Sequence, residues 1–391
     1  MLVRELTEKD YIESLKLSEY AFQYKVPESE IPARLERLRN HKVLGIWDED
    51  ILAAKLHIYP LSIYMKDAEW KMGGIAGVAT YPEYRRNGYV NTLMIDSLEH
   101  MRNNHQIVSL LHPFDISFYR KYGWEILNET KKVTIEKMNL RFLEPQQGFI
   151  RRFSRETHNE DIEKVYQQYS AQFTGMLKRE TYWWKQHVYD KDSQMAVYYQ
   201  PNKEAMGYML YHMKDSKMEV QELVALDHEA RVGLWNFICQ HDSMVGTVTI
   251  HLASQDPFPY FLQHPNVKIE LHPYFMARVV DAEECLRRFP FLLENEPLFL
   301  HFEDSHAPWN NGSYLLGKGD LKVFKEKVGG QCVHPPKKGI RLNINSLSAI
   351  LFGYKRPIEL YEMGYLKGSK PEIEIFEKKV PALKSSFIDF F

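Results

Sequence analysis

Residues Gly73–Val90 read GGIAGVATYPEYRRNGYV. The small, apolar run from Ile75 to Thr80 predicts a buried strand, and Pro82 marks a turn after it. Two arginines and a glycine follow. Leu93, Met94, Leu98 and Met101 then recur at helical spacing. A strand, a basic glycine-bearing loop and a helix N-terminus together offer backbone N–H groups and positive charge to a diphosphate. Gly88 would let the backbone close on it. An Arg-x-x-Gly turn by itself is as often a solvated basic turn, so the reading rests on what surrounds it.

Upstream, residues 2–6 predict a first strand. The run Thr7-Glu8-Lys9-Asp10 predicts a cap for a helix that continues to Phe22, and Ile31 to Leu38 a second helix. Val43–Trp47 and Ile51–Ile58 predict a hairpin across the turn Trp47–Asp50, and a further strand surrounds Ile63 and Tyr64. Downstream, Ile107–Leu111 predicts a buried strand, and Ile116–Tyr122 a helix stopped by Gly123. Trp124–Leu127 and Lys132–Ile135 then close the unit. This order fits neither a doubly wound dinucleotide fold nor a barrel.

The same order recurs weakly from Ile150: a helix over Asn159–Gln172, a hairpin of Met195–Tyr199 with Ala205–Met213, a strand at Val220–Leu226, a helix at Ala230–Gln240 and a strand at Thr247–Leu252. Here the loop is Asp227-His228-Glu229, acidic and without glycine, so a diphosphate would be repelled. A third unit starts near Met276. It has a helix capped by Asp281, strands at Leu298–Glu303, Tyr314–Leu316 and Gly339–Ile344, helices at Leu347–Phe352 and Ile358–Met363, and a strand-like aromatic tail, Ser385–Phe391.

The chain has 391 residues, which favours two or three domains. With 50 Lys+Arg against 52 Asp+Glu, composition gives no reason to expect nucleic acid or an anionic membrane as partner. Cys239, Cys285 and Cys332 share no metal-ligand spacing and, being odd in number, fit a reducing compartment. The charged start has no apolar signal region, and no run nears the roughly 18 apolar residues of a membrane span. A cytoplasmic protein is expected.

The second chemical element is Phe118-Tyr119-Arg120-Lys121-Tyr122-Gly123-Trp124. A tyrosine closing a helix between two strands can face their cleft, and a phenol can protonate a departing thiolate. Tyr122, beside the capping glycine, reads as structural.

These two motifs, in this order, resemble those of the GNAT acyl-CoA N-acyltransferases. Arg85-Arg86-Asn87-Gly88-Tyr89-Val90 is similar to their pyrophosphate motif, with Val90 where the motif has a small residue. A competent first GNAT unit, a degenerate second, a sterol-carrier-like third and an aromatic C-terminus resemble the Eis acetyltransferases over essentially the whole chain. The resemblance implies an α+β fold: a catalytic GNAT domain over 1–140, a degenerate GNAT-like domain over 141–275 and a sterol-carrier-protein-like domain over 276–391. It implies acetyl-CoA as cosubstrate, held by the backbone of Val78, Ala79 and Thr80, by Arg85, Arg86, Asn87, Gly88, Tyr89, Val90 and Asn91, and beside Phe114 and Asp115. Tyr119 would be the general acid and the C-terminal carboxylate of Phe391 the base, its pKa raised by partial desolvation. Phe22 and Tyr24 would line the pocket of a small-molecule amine, an aminoglycoside, a polyamine or a lysine, with Glu28 and Asp389 as candidate carboxylates for its charge. A homohexamer and direct transfer without metal are also implied, and no cysteine lies in the first domain to carry an acyl group. The competing readings are a lipid-binding protein built on the third domain and a CoA-binding regulator without catalysis. Dependence of thiol release on an added amine separates them.

Overall fold

The structure is a computed structural model that describes residues 2–292, 296–317, 320–325 and 338–391. Its first part runs β1 (Val3–Glu5), α1 (Tyr11–Phe22), α2 (Ile31–Leu38), β2 (Lys42–Asp48), β3 (Ile51–Met65), β4 (Ala68–Thr80), α3 (Tyr89–Asn103), β5 (Val108–Leu111), α4 (Ile116–Arg120) and β6 (Glu125–Ile126). The second comprises β7 (Glu129–Glu136), β8 (Phe149–Ser154), α5 (Glu160–Ser170), β9 (Thr174–Leu177), α6 (Thr181–Trp183), β10 (Gln194–Tyr199), β11 (Ala205–Lys214), β12 (Lys217–Ala225), α7 (His228–Cys239), β13 (Thr247–Ala253), α8 (Phe258–Phe261), β14 (Lys268–Pro273) and β15 (Met276–Val279). The third is α9 (Ala282–Arg288), β16 (Leu298–Glu303), β17 (Gly312–Leu316), β18 (Leu321–Phe324), β19 (Ile340–Asn343), α10 (Ile344–Leu351), α11 (Pro357–Glu362) and α12 (Lys370–Lys379).

Three mixed sheets result, and the fold is α+β as expected. In the first, the order is β1-β2-β3-β4-β5-β15-β6, with β9 added on β3. The second reads β14-β7-β13-β12-β11-β10-β8 and the third β18-β17-β16-β19. Among the described strands, β4–β5, β12–β13 and β16–β19 pair in parallel and the other pairs are antiparallel.

The sequence reading is corrected at several places. The hairpin strand and the strand at Ile63–Tyr64 are one 15-residue strand, β3, because β4 pairs with it along its whole length, past Pro60. Lys132–Ile135 does not close the first unit: as part of β7 it lies between β13 and β14 of the second sheet. Met276 does not open the third unit, since β15 inserts between β5 and β6 of the first sheet. The two leading units are therefore interlocked: β7, from within the first 140 residues, joins the second sheet, while β9 and β15 join the first. The tail is not a strand: it makes one bridge to β9, Ser385 to Thr174, and is otherwise held by side-chain hydrogen bonds. α12 was not expected, although Ser369 and Glu372 form its capping box.

One core cluster joins all three parts: Trp70, Met72 and Val108 from the first, Leu177 and Trp183 from the second, Leu300, Ile350 and Phe376 from the third, and Phe387 from the tail. Arg278 of β15, fully buried, grips Asp304 at 2.7 Å and donates to the Tyr122 carbonyl, tying the third part to the first.

Candidate active site

β4 and β5 run in parallel only from Met72↔Val108 to Ile75↔Leu111. Beyond that β5 ends while β4 continues to Thr80, still paired with β3 on its other edge. A wedge therefore opens along Ala76–Thr80, whose edge facing it has no strand partner. Within it β4 carries one extra residue between the pairs His57↔Ala76 and Lys55↔Ala79, a bulge with Gly77 at φ 55°. Val78, Ala79 and Thr80 lie on this edge, and the buried Thr80 hydroxyl has no partner among the described residues.

The loop at the wedge's mouth holds Arg86 and Gly88 in left-handed conformations, φ 66° and 80°. Such a curl turns successive amides toward one point. Gly88 is the N-cap of α3; no side chain caps the helix, and its first turn has no acidic residue. A Cβ on Gly88 would meet nothing within 4 Å. Arg85, Arg86, Asn87 and Asn91 are exposed around it, and Tyr84 stacks on Tyr89 at 6.2 Å. Val90 packs toward the core, so its bulk does not obstruct the amides. The uncapped helix end, its positive loop and the open backbone edge fit the diphosphate and amide arm of acyl-CoA.

Tyr119 is buried in the cluster of Ile75, Leu111 and Trp124 on one face of the strand junction. Burial, with a smaller contribution from Tyr122, holds its phenol well above the ordinary tyrosine range, so it keeps its proton. Phe114, exposed, packs edge-on to Tyr119 at 5.5 Å. The Asp115 carboxylate caps α4 through the Phe118 amide at 2.8 Å, so its role is in positioning that helix.

The opposite face of the junction holds the C-terminus. A Cβ on Gly74 would fall 2.7 Å from the Phe391 ring, so the glycine makes that approach possible. The ring also contacts Phe275 at 5.3 Å, Tyr59 at 5.8 Å and Trp183 at 6.4 Å. Gly74 and Ile75 are successive strand residues with opposite faces. Phe391 and Tyr119 thus flank the point where β4 and β5 part, from opposite sides.

A buried network fixes the tail. Asp389 accepts from Arg179 Nε at 2.9 Å, Trp183 Nε1 at 2.7 Å and Tyr166 Oη at 3.3 Å. Arg179 also holds Glu222 through both terminal nitrogens, and Tyr208 donates to Glu222 at 2.8 Å. Asn128 donates to the Phe387 carbonyl and Tyr274 to that of Asp389, each at 2.9 Å. Asp389 is therefore spent on Arg179 and does not meet an acceptor's charge, contrary to the expectation. Glu28 sits in an exposed 3-10 turn. Phe22 and Tyr24, at the end of α1, are both exposed. Arg179, Trp183 and Glu222 carry no local signal in the sequence: Asp389 lies 210 and 206 residues from the first two, and Glu222 meets Arg179 across 43 residues.

The second unit keeps the bulge, between the pairs Leu210↔Glu222 and Tyr211↔Val220. Its strands β12 and β13 also part after Val220↔Ile250. Here Asp227 caps α7 through the Ala230 amide at 2.7 Å, and Glu222 with Arg179 stands at the parting. In this unit the chain's own side chains occupy both the helix start and the strand parting. Cys239 and Cys285 are buried, the latter's thiol pushed well up by burial, and Cys332 lies outside the described residues. No cluster of metal-ligating side chains exists among the described residues.

Residues 2–127 match the family model of an acetyltransferase (GNAT) domain, residues 175–279 a second one, and residues 282–387 a sterol carrier protein domain. The chain is a tandem GNAT acyltransferase. The acyltransferase is similar over its full length to a probable N-acyltransferase of Enterococcus faecalis V583, with 26% identity, TM-score 0.91 and 99% of that chain covered. It shares the fold of a GCN5-related N-acetyltransferase from Anabaena variabilis at 21% identity and TM-score 0.85. It shares that of Eis1 from Mycobacterium abscessus at 18% and 0.83, all of both chains being covered in each case. No curated protein matches it.

Proposed function

We propose that this acyltransferase is an acetyl-CoA-dependent N-acetyltransferase of amines, with aminoglycoside, polyamine-like or lysine acceptors. The observation that carries the reading is the wedge between β4 and β5, opening onto an uncapped helix N-terminus and flanked by Tyr119 and Phe391. In this reading Val78, Ala79 and Thr80 hold the pantetheine arm, and Arg85–Asn91 hold the diphosphate beside Phe114 and Asp115. The backbone at the bulge polarises the thioester carbonyl. An amine admitted past Phe22 and Tyr24 as its ammonium ion gives one proton to the terminal carboxylate of Phe391, and the neutral amine then attacks the carbonyl carbon. Tyr119 gives its proton to the departing thiolate. No helix among the described residues is long and apolar enough to cross a membrane, in keeping with a cytoplasmic enzyme. We also take it to be a homohexamer, which light scattering would check.

The test is thiol release from acetyl-CoA over a panel of amines. Release should depend on the amine, and Tyr119→Phe should lower kcat by about 100-fold, within the range for a lost acid–base group. Deleting Phe391, or extending the chain beyond it, should lower kcat while acetyl-CoA still stabilises the protein. An unchanged rate with an extended C-terminus would remove Phe391 from the mechanism. Thermal stabilisation by a fatty acid but not by acetyl-CoA would favour the lipid-binding reading.

A further inference from the structure

Three titratable side chains that the mechanism leaves unused lie in one line beside the bulge. Lys55 and His57 alternate on β3 and so share a face with Tyr59. Lys55 is fully buried, and among the described residues no carboxylate is bonded to it. Its Nζ stands 2.8 Å from His57 Nε2, 2.9 Å from Ser14 Oγ and 2.6 Å from Ser18 Oγ. His57 Nδ1 is 2.9 Å from His41 Nε2. At the outer end, His41 Nδ1 is buried and makes no hydrogen bond of normal geometry among the described residues. His57 lies directly under the bulge, its ring 3.0 Å from where a Cβ on Gly77 would stand. The His41 ring stacks on Tyr59 at 4.1 Å, the same ring that Phe391 approaches at 5.8 Å. A narrow cavity of about 30 Å³ borders His41, Tyr59, Arg37 and His187.

We propose that His41, His57 and Lys55 form a proton relay that takes up and holds the proton left on the acceptor side of the cleft, with His41 Nδ1 as its one entrance and exit. This rests on the amine-acetylation reading. Acylating an ammonium group leaves one proton over per turnover. The nitrogen starts with three; the amide keeps one, a second replaces the proton Tyr119 gave to the thiolate, and the third must leave. At rest Lys55 is a neutral amine accepting from His57 Nε2–H, and His57 Nδ1 accepts from His41 Nε2–H. A proton passed from the terminal carboxylate binds His41 Nδ1. The Nε2 proton of His41 then moves to His57 Nδ1, and that of His57 Nε2 moves to Lys55. The resulting ammonium donates to Ser14, Ser18 and His57 Nε2; after product leaves, the reverse sequence returns the proton to His41 Nδ1, which gives it up to water in the cavity it borders.

The surroundings favour a neutral resting state. Burial alone brings Lys55 down to about 7. Burial, then Lys55 and His187, brings His41 down to about 4, while an interaction with the Arg37 backbone works the other way. Burial, Lys55 and His41 hold His57 well below the ordinary histidine range. The groups facing the line are Arg37 in the last turn of α2, Tyr182 of α6, His187 after α6 and Tyr59 on β3. Opposite it, α1 offers only Ser14 and Ser18, and β4 offers Ala76, Gly77 and Ala79.

The test uses the full chain, with thiol release followed from pH 5.5 to 9 for wild type, Lys55→Met, His57→Gln and His41→Phe. Each substitution should lower kcat at pH 7 by about 10-fold or more. Each should also shift the acid limb of the kcat profile, with KM for acetyl-CoA and thermal stabilisation by acetyl-CoA unchanged. Unaltered kcat profiles in Lys55→Met and His41→Phe would overturn the relay. If wild type acetylates no amine, the functional reading fails, and the relay is then decided by ring-nitrogen NMR. A coupled line requires that Lys55→Met raise the titration midpoints of both His41 and His57. Midpoints that stay put would sink it.

Discussion

Lys55 is an ionisable group buried without a counter-charge, and stability should register that. Its ordinary value is 10.5 and burial brings it to about 7. Between those two values the unfolded chain holds the extra proton, so stability rises with pH across that window. Below about 7 the cost of a buried ammonium is fully present, on the order of 5 kcal/mol by linkage. His41 and His57, held low, add the same sign below their ordinary 6.5. Lys55→Met should therefore be the more stable protein at pH 6, with its advantage shrinking from pH 7 to 10.5. Urea unfolding at fixed pH steps measures this, and a gap independent of pH would mean that Lys55 is charged in both states. The residue was visible in the sequence as Lys55-Leu-His57-Ile-Tyr59, polar side chains at strand period within an apolar run. The sequence reading passed over it because neither His41 nor Ser14 and Ser18 are near enough in the chain to suggest partners.

At the level of elements, the strand–loop–α3 unit was legible because its signals are local: an apolar run, a turn proline, a glycine at the N-cap. The second unit's acidic counterpart was legible for the same reason. The two helix starts differ by what fills them, Asp227 in α7 and nothing in α3. Gly88→Asp should transplant the difference. A carboxylate there would cap α3 and repel a diphosphate, raising KM for acetyl-CoA by about 10-fold or more, as about 1.4 kcal/mol of lost binding requires. The left-handed N-cap costs a non-glycine residue about 1–2 kcal/mol, partly offset by the cap. Steady-state kinetics at fixed amine would report it, and an unchanged KM would take the loop out of cofactor binding. The continuity of β3 was not legible, because Pro60 reads as a break where β4 pairs straight past it.

Across the whole molecule, the long-range pairings were the part sequence did not disclose. Nothing local tells β7 to leave its own unit or β15 to enter another. Arg179 is the point where the tail is held. Arg179→Met leaves Glu222 and Asp389 buried without their cation, and removing one side of such a cluster costs about 3–5 kcal/mol. The first thermal transition should fall, and kcat should drop even well below it, because Phe391 loses its anchor. In a variant lacking Phe391, Arg179→Met should lower kcat no further; an additional loss would give Arg179 a role beyond the tail.

The exchanged strands also set an order on synthesis. A ribosome that has made residues 1–140 has not yet supplied the strand that covers β5, and β7 has no sheet to join. That nascent half presents raw hydrogen-bonding edges until residue 279 emerges. Phe391, whose ring covers Gly74 on β4, reaches that sheet later still. The first sheet is therefore closed by a strand made about 150 residues after β6, and its folding waits on the synthesis of the second unit.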